Sequence, residues 1–150
     1  MSPHLFIVPC SATKARTLPA GPMPAKDAYT GQGFRMLRHR LELDRSPWCI
    51  LSALYGFIWP DTFIEDYNVK MRKGIAPDSW PACFDHLTPQ QRDQLVTAES
   101  ITILGSKLYA DAAAALLKRH VHAPFAGLPI GKLLGAVHRG EWRRPSLLPV

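Results

Sequence analysis

The chain has 150 residues, of which 47% are hydrophobic and 20% are charged. These values are ordinary for a globular protein and exclude a disordered chain, and a chain of this length buries roughly two-thirds of its unfolded surface around one core. The 18 Lys and Arg residues outnumber the 12 Asp and Glu residues, and the net charge of +6 favours a nucleic acid or a nucleotide as partner.

The cysteine and apolar patterns indicate the compartment. Cys10, Cys49 and Cys83 are odd in number and lack metal-ligand spacing, which excludes a disulfide scaffold and a zinc ribbon. The first ten residues do not have the pattern of a secretory signal, and no apolar run is long enough to cross a bilayer. We therefore expect a cytoplasmic protein that engages no membrane and requires neither a cofactor nor a metal.

The chain alternates between short apolar runs, typical of buried strands, and segments with apolar residues at helical spacing. In chain order, the predicted elements are a strand at 4–9, a Pro/Gly-rich loop at 16–24, a helix at 30–43, a strand at 48–54, an irregular segment at 60–80, a helix beginning at Thr88, a strand at 100–104, a helix at 107–119, a strand at 122–125 and a helix at 130–138.

This alternation predicts the fold class. Strands and helices in turn are typical of an α/β fold, here a three-layer sandwich with a small, mainly parallel sheet of the Rossmann-like or glycosylase-like kind. The near-continuous apolar strands fit burial on both faces of the sheet. We predict one α/β domain over residues 1–138 and a basic C-terminal tail over 139–150.

Ligands of open parallel sheets bind outside the carboxyl ends of the strands, so the residues after each predicted strand are candidates. After the first strand, Ser11, Thr13 and Lys14 could bind a phosphate or a carboxylate through their side chains and the backbone N–H groups of the turn. Cys10 is a candidate nucleophile activated by Lys14. The alternatives are a plain polar turn and a cysteine buried for packing.

Further candidates follow the other strands. Gly105 allows close backbone approach, and Ser106 either caps the next helix or faces an anion at its N-terminus. The rings of Tyr55 and Tyr109 suit stacking on a base, although tyrosine is also common in cores. Asp27 is a candidate general base or cation stabiliser, with a plain helix-terminal acid as the alternative.

Several motifs resemble those of one protein family. Residues 49–60 (CILSALYGFIWP) and 64–71 (IEDYNVKM) resemble the signature of the YaaA-like peroxide-stress proteins. Residues 27–31 (DAYTG) and 103–109 (ILGSKLY) are similar to two further blocks of that family. The opening Pro-Cys-Ser-x-x-Lys is closer to short relatives of the family and is similar to the core of archaeosine synthase, which works on a modified tRNA base.

The resemblance implies an α/β core, association with DNA and kinship with enzymes that handle nucleobases. The chain is shorter than the full-length stress proteins, and Asp66 stands where they usually have proline, so their stress role does not transfer directly. The residues and the motifs together give catalytic candidates Asp27, Cys10 and Lys14 and substrate-binding candidates Ser11, Thr13, Tyr29, Ser52, Tyr55, Gly56, Tyr67, Gly105, Ser106 and Tyr109.

The leading hypothesis is an enzyme that acts on a nucleobase or nucleotide, most plausibly an N-glycosidase that cleaves or exchanges a base–sugar bond. Such a reaction needs a carboxylate, an anion-binding turn and an aromatic wall. The alternative is a non-catalytic DNA-binding protein of the oxidative-stress response. A third hypothesis is an oxidant sensor that acts through one of the cysteines.

Overall fold

The first strand is the centre of the fold and is buried on both of its faces. The computed structural model describes residues 4–10, 22–52, 55–64, 87–128, 132, 135–136 and 139. The strands and helices of this part are, in chain order, β1 (His4–Pro9), β2 (Met23–Pro24), α1 (Ala25–Ala28), α2 (Gln32–Leu43), β3 (Trp48–Ser52), β4 (Gly56–Ile58), β5 (Phe63–Ile64), α3 (Pro89–Thr97), β6 (Ser100–Ile103) and α4 (Lys107–Leu117).

The main sheet of the described residues has four strands in the order β4-β3-β1-β6. β1 pairs in parallel with β3 on one side and with β6 on the other, while β4 runs antiparallel to β3 at the edge. The short strands β2 and β5 form a separate antiparallel ladder. The prediction of an α/β fold with a small, mainly parallel sheet is therefore confirmed.

The side chains of β1 belong to two apolar clusters, because successive residues of a strand point to opposite faces of the sheet. Phe6 and Val8 belong to the cluster that includes the buried residues of α1 and α2. Leu5 and Ile7 belong to the cluster that includes the buried residues of α3 and α4. β1 is thus covered by apolar side chains from both sides, which explains why its sequence is an unbroken apolar run.

The helix α2 has the predicted buried face but not the predicted cap. Phe34, Leu37 and Leu41 are buried, as their helical spacing indicates. Thr30 was expected to cap this helix, and that expectation is wrong, because Gly31 is the N-cap residue and has extended backbone angles. Glycine is an acceptable N-cap residue, and Thr30 lies just outside the helix as a half-buried residue.

The start of α3 is as predicted. The hydroxyl of Thr88 accepts a hydrogen bond from the backbone N–H of Gln91 at 3.1 Å, and the Gln91 side chain accepts one from the Thr88 N–H at 3.0 Å. Pro89 occupies the first turn, where its missing N–H has no intrahelical partner to lose. These reciprocal hydrogen bonds form the capping box that the spacing predicts.

Three predicted boundaries are corrected. The loop expected to extend to residue 24 ends in β2, which pairs with β5 inside the segment expected to be irregular. Gly56 was expected to end a strand and instead begins β4, so the chain reverses there. The strand expected at 122–125 is reduced to one bridge between His122 and Thr102, followed by a turn. The β2–β5 and His122–Thr102 pairings join segments that are distant in sequence, whereas β4 pairs with β3, the strand directly before it.

The C-terminal part of the chain is described only at single positions. The helix predicted at 130–138 lies largely outside the described residues, and the tail predicted at 139–150 lies outside them except for Arg139. The boundary between the domain and the tail stays a prediction. None of the helices in the described ranges combines the length and the apolar character that crossing a membrane requires.

A close contact joins the end of β1 to the start of α4. Gly105 is buried two residues before α4, and a Cβ atom placed on it would overlap Cγ of Pro9 and lie 3.1 Å from Cδ of the same ring. A side chain at position 105 would therefore push apart β1 and the segment that leads from β6 into α4. The absence of a Cβ at this position sets the separation of the two elements.

We expect Gly105→Ala to lower the free energy of unfolding by about 1–3 kcal/mol, because the added methyl group overpacks a filled region. Gly127→Ala is the matched control, since a Cβ there meets no atom within 4 Å. The control should change the free energy of unfolding by less than about 0.5 kcal/mol. Urea unfolding followed by circular dichroism measures both values, and equal stability of the two variants would contradict the Pro9 contact.

Candidate functional site

The carboxyl ends of β1, β3 and β6 lie at the same edge of the sheet because the three strands are parallel. Cys10 follows β1 directly, and its backbone N–H donates to the carbonyl of Leu51 at 3.0 Å. Leu104 follows β6, and its N–H donates to the carbonyl of Ile7 at 2.9 Å. These hydrogen bonds extend the sheet by one residue beyond two strands, so the following residues begin from a fixed backbone.

At this edge the structure brings together two predicted site residues, Cys10 and Tyr109. The Cys10 Sγ lies 3.3 Å from the Tyr109 hydroxyl, within hydrogen-bond distance for sulfur. Tyr109 is in the first turn of α4, and Cys10 packs against both apolar clusters of the core. The contact of Gly105 with Pro9 brings the start of α4 to the end of β1, and this placement allows the pair to form.

The Tyr109 hydroxyl stays protonated at neutral pH. Burial raises the pKa of this phenol well above its ordinary value, and the neighbouring Cys10 and Tyr29 raise it further. A protonated phenol next to a half-buried thiol can donate a hydrogen bond to a negative charge on the sulfur or on a bound ligand. The pair therefore suits the stabilisation of an anion or of a leaving group.

Tyr29 contributes to this site from inside the core. Its side chain is 1% exposed, and its ring lies 5.3 Å from that of Phe34 between centroids. Tyr29 belongs to the apolar cluster against which Cys10 packs, and it raises the pKa of Tyr109. Tyr29 was predicted to bind substrate, and the structure makes it a buried neighbour of the pair.

The turn after β3 has a mainly structural organisation. Ser52 is fully buried, and its hydroxyl accepts a hydrogen bond from the Tyr55 backbone N–H at 3.1 Å. Gly56 has a φ of 76°, a left-handed conformation that glycine adopts without strain. Tyr55 is half-buried and packs against the cluster that includes α2. Ser52 and Gly56 shape the turn, and Tyr55 is the member of the three with an accessible side chain.

Asp27 lies in a network of surface ion pairs. Its Oδ1 is 2.9 Å from Nη1 of Arg38, and the same guanidinium binds Glu42 at 3.2 Å. The neighbouring Lys26 pairs with Asp61 at 2.7 Å, which raises the pKa of the lysine. The Asp27 side chain is 46% exposed, and its ion pair with Arg38 joins α1 to α2. The ion pair of Lys26 joins α1 to the segment between β4 and β5, and neither contact involves Cys10 or Tyr109.

Of the remaining candidates, one lies within the described residues and four lie outside them. Ser106 is the N-cap residue of α4 but its side chain makes no capping hydrogen bond, and it is exposed. Of the two alternatives for Ser106, the capping position is confirmed, although the hydroxyl makes no capping hydrogen bond. Four candidates lie outside the described residues, namely Ser11, Thr13, Lys14 and Tyr67.

A groove on α2 was not predicted as a site. It has a volume of about 600 Å³, and its lining residues are Thr30, Gln32, Arg35, Met36 and His39. The sequence shows a basic cluster in this helix, but it does not show which cations are paired with carboxylates. The four-residue spacing of Arg35 and His39 was the available signal, because such residues share one helix face. Within the described ranges, no three metal-ligating side chains lie together.

Comparisons with known proteins identify the family. The sequence profile described as "Family of unknown function (DUF6884)" matches residues 5–139. The chain belongs to this family. The Uncharacterized protein YfjM of Bacillus subtilis (strain 168) is 30% identical over 151 residues, which cover 96% of this chain and 99% of the relative. A search of solved structures found no significant match.

The match to the DUF6884 family extends over β1 and α4 and over every described element between them. It thus includes Cys10, Tyr109 and the Gly105 contact, together with the groove on α2. The relative from Bacillus subtilis aligns over nearly its whole length.

The two described cysteines should differ sharply in reactivity. Cys49 is completely buried, and burial raises the pKa of its thiol, whereas Cys10 is half-buried at the sheet edge. In a Cys83→Ser variant treated with iodoacetamide near neutral pH, we expect alkylation of Cys10 and protection of Cys49 until denaturant is added. Peptide mass spectrometry locates the adducts, and equal alkylation rates at the two positions would contradict the described burial.

Proposed function

We propose that the protein is an enzyme acting on a nucleobase or nucleotide, most plausibly an N-glycosidase that cleaves or exchanges a base–sugar bond. The observation that carries the proposal is the convergence of the Cys10 thiol and the Tyr109 phenol at the carboxyl edge of the parallel strands. This edge is where ligands bind in open α/β sheets. A protonated phenol and an adjoining ring suit a base that departs with negative charge.

The proposed hydrolysis breaks the bond between the base nitrogen and C1′ of the sugar. The bonding electrons leave with the base, and a water molecule forms the new bond to C1′. One proton of that water passes to a carboxylate, and the departing base takes up a proton from its surroundings. The positive charge that develops on the sugar in the transition state is lowered in energy by a nearby negative charge.

In this proposal the carboxylate is Asp27, two residues before Tyr29. Arg38 holds its Oδ1 through the hydrogen bond at 2.9 Å. This contact fixes the direction of the carboxylate while Oδ2 remains able to accept a proton from water. Ser106, with its exposed hydroxyl at the start of α4, is a proposed phosphate contact, as are Ser11, Thr13 and Lys14. Tyr55 and Tyr109 are the proposed base contacts.

The finer classification of the fold is also a proposal. Apolar clusters on both faces of β1 support a three-layer sandwich of the Rossmann-like or glycosylase-like kind. The motifs at 27–31, 49–60 and 103–109 support a place for this DUF6884 chain in the YaaA-like superfamily. We further propose that the protein acts in the cytoplasm, where Cys10 and Cys49 remain free thiols.

A second candidate function is a non-catalytic DNA-binding protein of the oxidative-stress response. The net charge of +6 and the cationic groove on α2 favour it. Binding that weakens steeply with salt and produces no turnover is expected of such a protein. The two candidates differ in one measurable property, the release of a free base.

The test is mass spectrometry of free bases after incubation of the protein with nucleotides, tRNA, and plain or hypermodified DNA. We expect the wild-type protein to release a free nucleobase from one pool. Asp27→Asn should reduce the rate of release by about 100-fold or more, because this variant removes both the general base and its negative charge. Asp111→Asn is the matched control, since Asp111 also pairs with a basic residue but lies on the exposed side of α4.

The outcomes separate the two candidates. Release by wild type and Asp111→Asn but not by Asp27→Asn supports the N-glycosidase and names its substrate. Release by Asp27→Asn at the wild-type rate would remove Asp27 from the mechanism. Absence of release from every pool, together with salt-sensitive nucleic-acid binding, overturns the enzyme proposal and favours the non-catalytic protein.

A further inference from the structure

The groove on α2 is distinct from the pair of Cys10 and Tyr109, neither of which lines it. It begins at Thr30, which directly follows the buried Tyr29, and continues along the first turns of α2 to His39. Its volume of about 600 Å³ is within the ordinary range for ligand-binding sites. Arg35 and His39 are four residues apart and so share one face of α2, and Met36 adds an apolar side chain to the lining.

Two arginines of α2, Arg35 and Arg38, differ in their ion pairs. Arg38 is neutralised, because its guanidinium binds the carboxylates of Asp27 and Glu42 and the carbonyl of Lys26. Arg35 and His39 lie on the groove side of the same helix, and in the described part of the chain neither forms an ion pair with a carboxylate. Among the described residues, no carboxylate therefore neutralises the positive charge that Arg35 presents to the groove.

The chemistry of the lining residues favours phosphate as the ligand. A guanidinium offers a planar fork of N–H donors that matches two oxygens of a phosphate. An imidazole N–H, a Thr30 hydroxyl and a Gln32 amide add neutral donors of the kind that bind backbone phosphates. Residues four apart on a helix lie side by side, so Arg35 and His39 can contact neighbouring phosphates of one strand.

We propose that this groove binds the phosphodiester backbone of a nucleic-acid strand and so directs a base of that strand to the carboxyl edge of the sheet. The inference rests on the proposed function for the choice of nucleic acid over other polyanions, and it names a polymer as the substrate instead of a free nucleotide. A phosphate site on α2 in addition to the one expected at the sheet edge requires a ligand with more than one phosphate group.

The test measures binding of fluorescein-labelled single-stranded DNA by fluorescence anisotropy over a series of salt concentrations. Arg35→Gln should weaken binding about tenfold, and the slope of log K against log salt should fall in magnitude by about 0.7, the contribution of one phosphate contact on a single strand. Arg92→Gln on α3 removes the same charge from an exposed position outside the groove and should leave the slope unchanged. His39→Gln should also weaken binding.

Two further arms define the ligand. Wild type and Arg35→Gln should bind DNA with uncharged methylphosphonate linkages with equal affinity, because the contribution of Arg35 requires charge on the backbone. Polyglutamate of matched charge should compete poorly with the DNA. Equal losses in Arg35→Gln and Arg92→Gln, absence of binding by wild type, or competition by polyglutamate as strong as that by unlabelled DNA would each overturn the inference.

Failure of this inference can be told apart from failure of the proposed function. Binding that depends on Arg35 without release of any base supports the groove and overturns the enzyme. A second outcome is that Arg35→Gln releases a base from free nucleotides at the wild-type rate and DNA binding does not depend on Arg35. This outcome supports the proposed enzyme and overturns the proposal that the groove binds nucleic acid. Thermal unfolding confirms that the Arg35→Gln variant, changed at an exposed position, is folded.

Discussion

The burial of β1 is the constraint on which the rest of the structure depends. Its backbone forms hydrogen bonds with the parallel strands β3 and β6, and its side chains alternate between the two apolar clusters. Because a buried backbone group without a partner is costly, β1 is held in register from both sides. Parallel pairing then places the carboxyl ends of three strands at one edge, and polar residues that follow them must meet there.

Cys10 and Tyr109 come into contact because both lie near this edge and because Gly105 has no side chain. Gly105 lets the segment that leads into α4 approach Pro9, and Tyr109 reaches the Cys10 sulfur at 3.3 Å. Burial keeps the phenol protonated, so the site offers a hydrogen-bond donor in a partly dry environment. The cationic groove on α2 lies outside this edge, which separates a proposed binding function from a proposed chemical one.

The sequence predicts the parts of this structure that depend on local pattern. The bounds of β1, the buried face of α2 and the capping box at Thr88 follow from apolar runs, helical spacing and side-chain capping. Pairings between distant segments, such as β2 with β5, carry no local signal. For the site, the sequence identifies Cys10 and Tyr109 separately, but their contact depends on how close α4 comes to β1. The pairing state of each cation on α2 is likewise a tertiary property.

We propose that nucleic acid binds at the carboxyl edge of the sheet, over the pair of Cys10 and Tyr109. The most direct test is the alkylation rate of Cys10 in the Cys83→Ser variant, measured by peptide mass spectrometry with and without saturating single-stranded DNA. Bound DNA should slow alkylation of Cys10 several-fold, whereas polyglutamate of matched charge should leave the rate unchanged. An unchanged rate at saturating DNA would contradict the placement of the ligand at this edge.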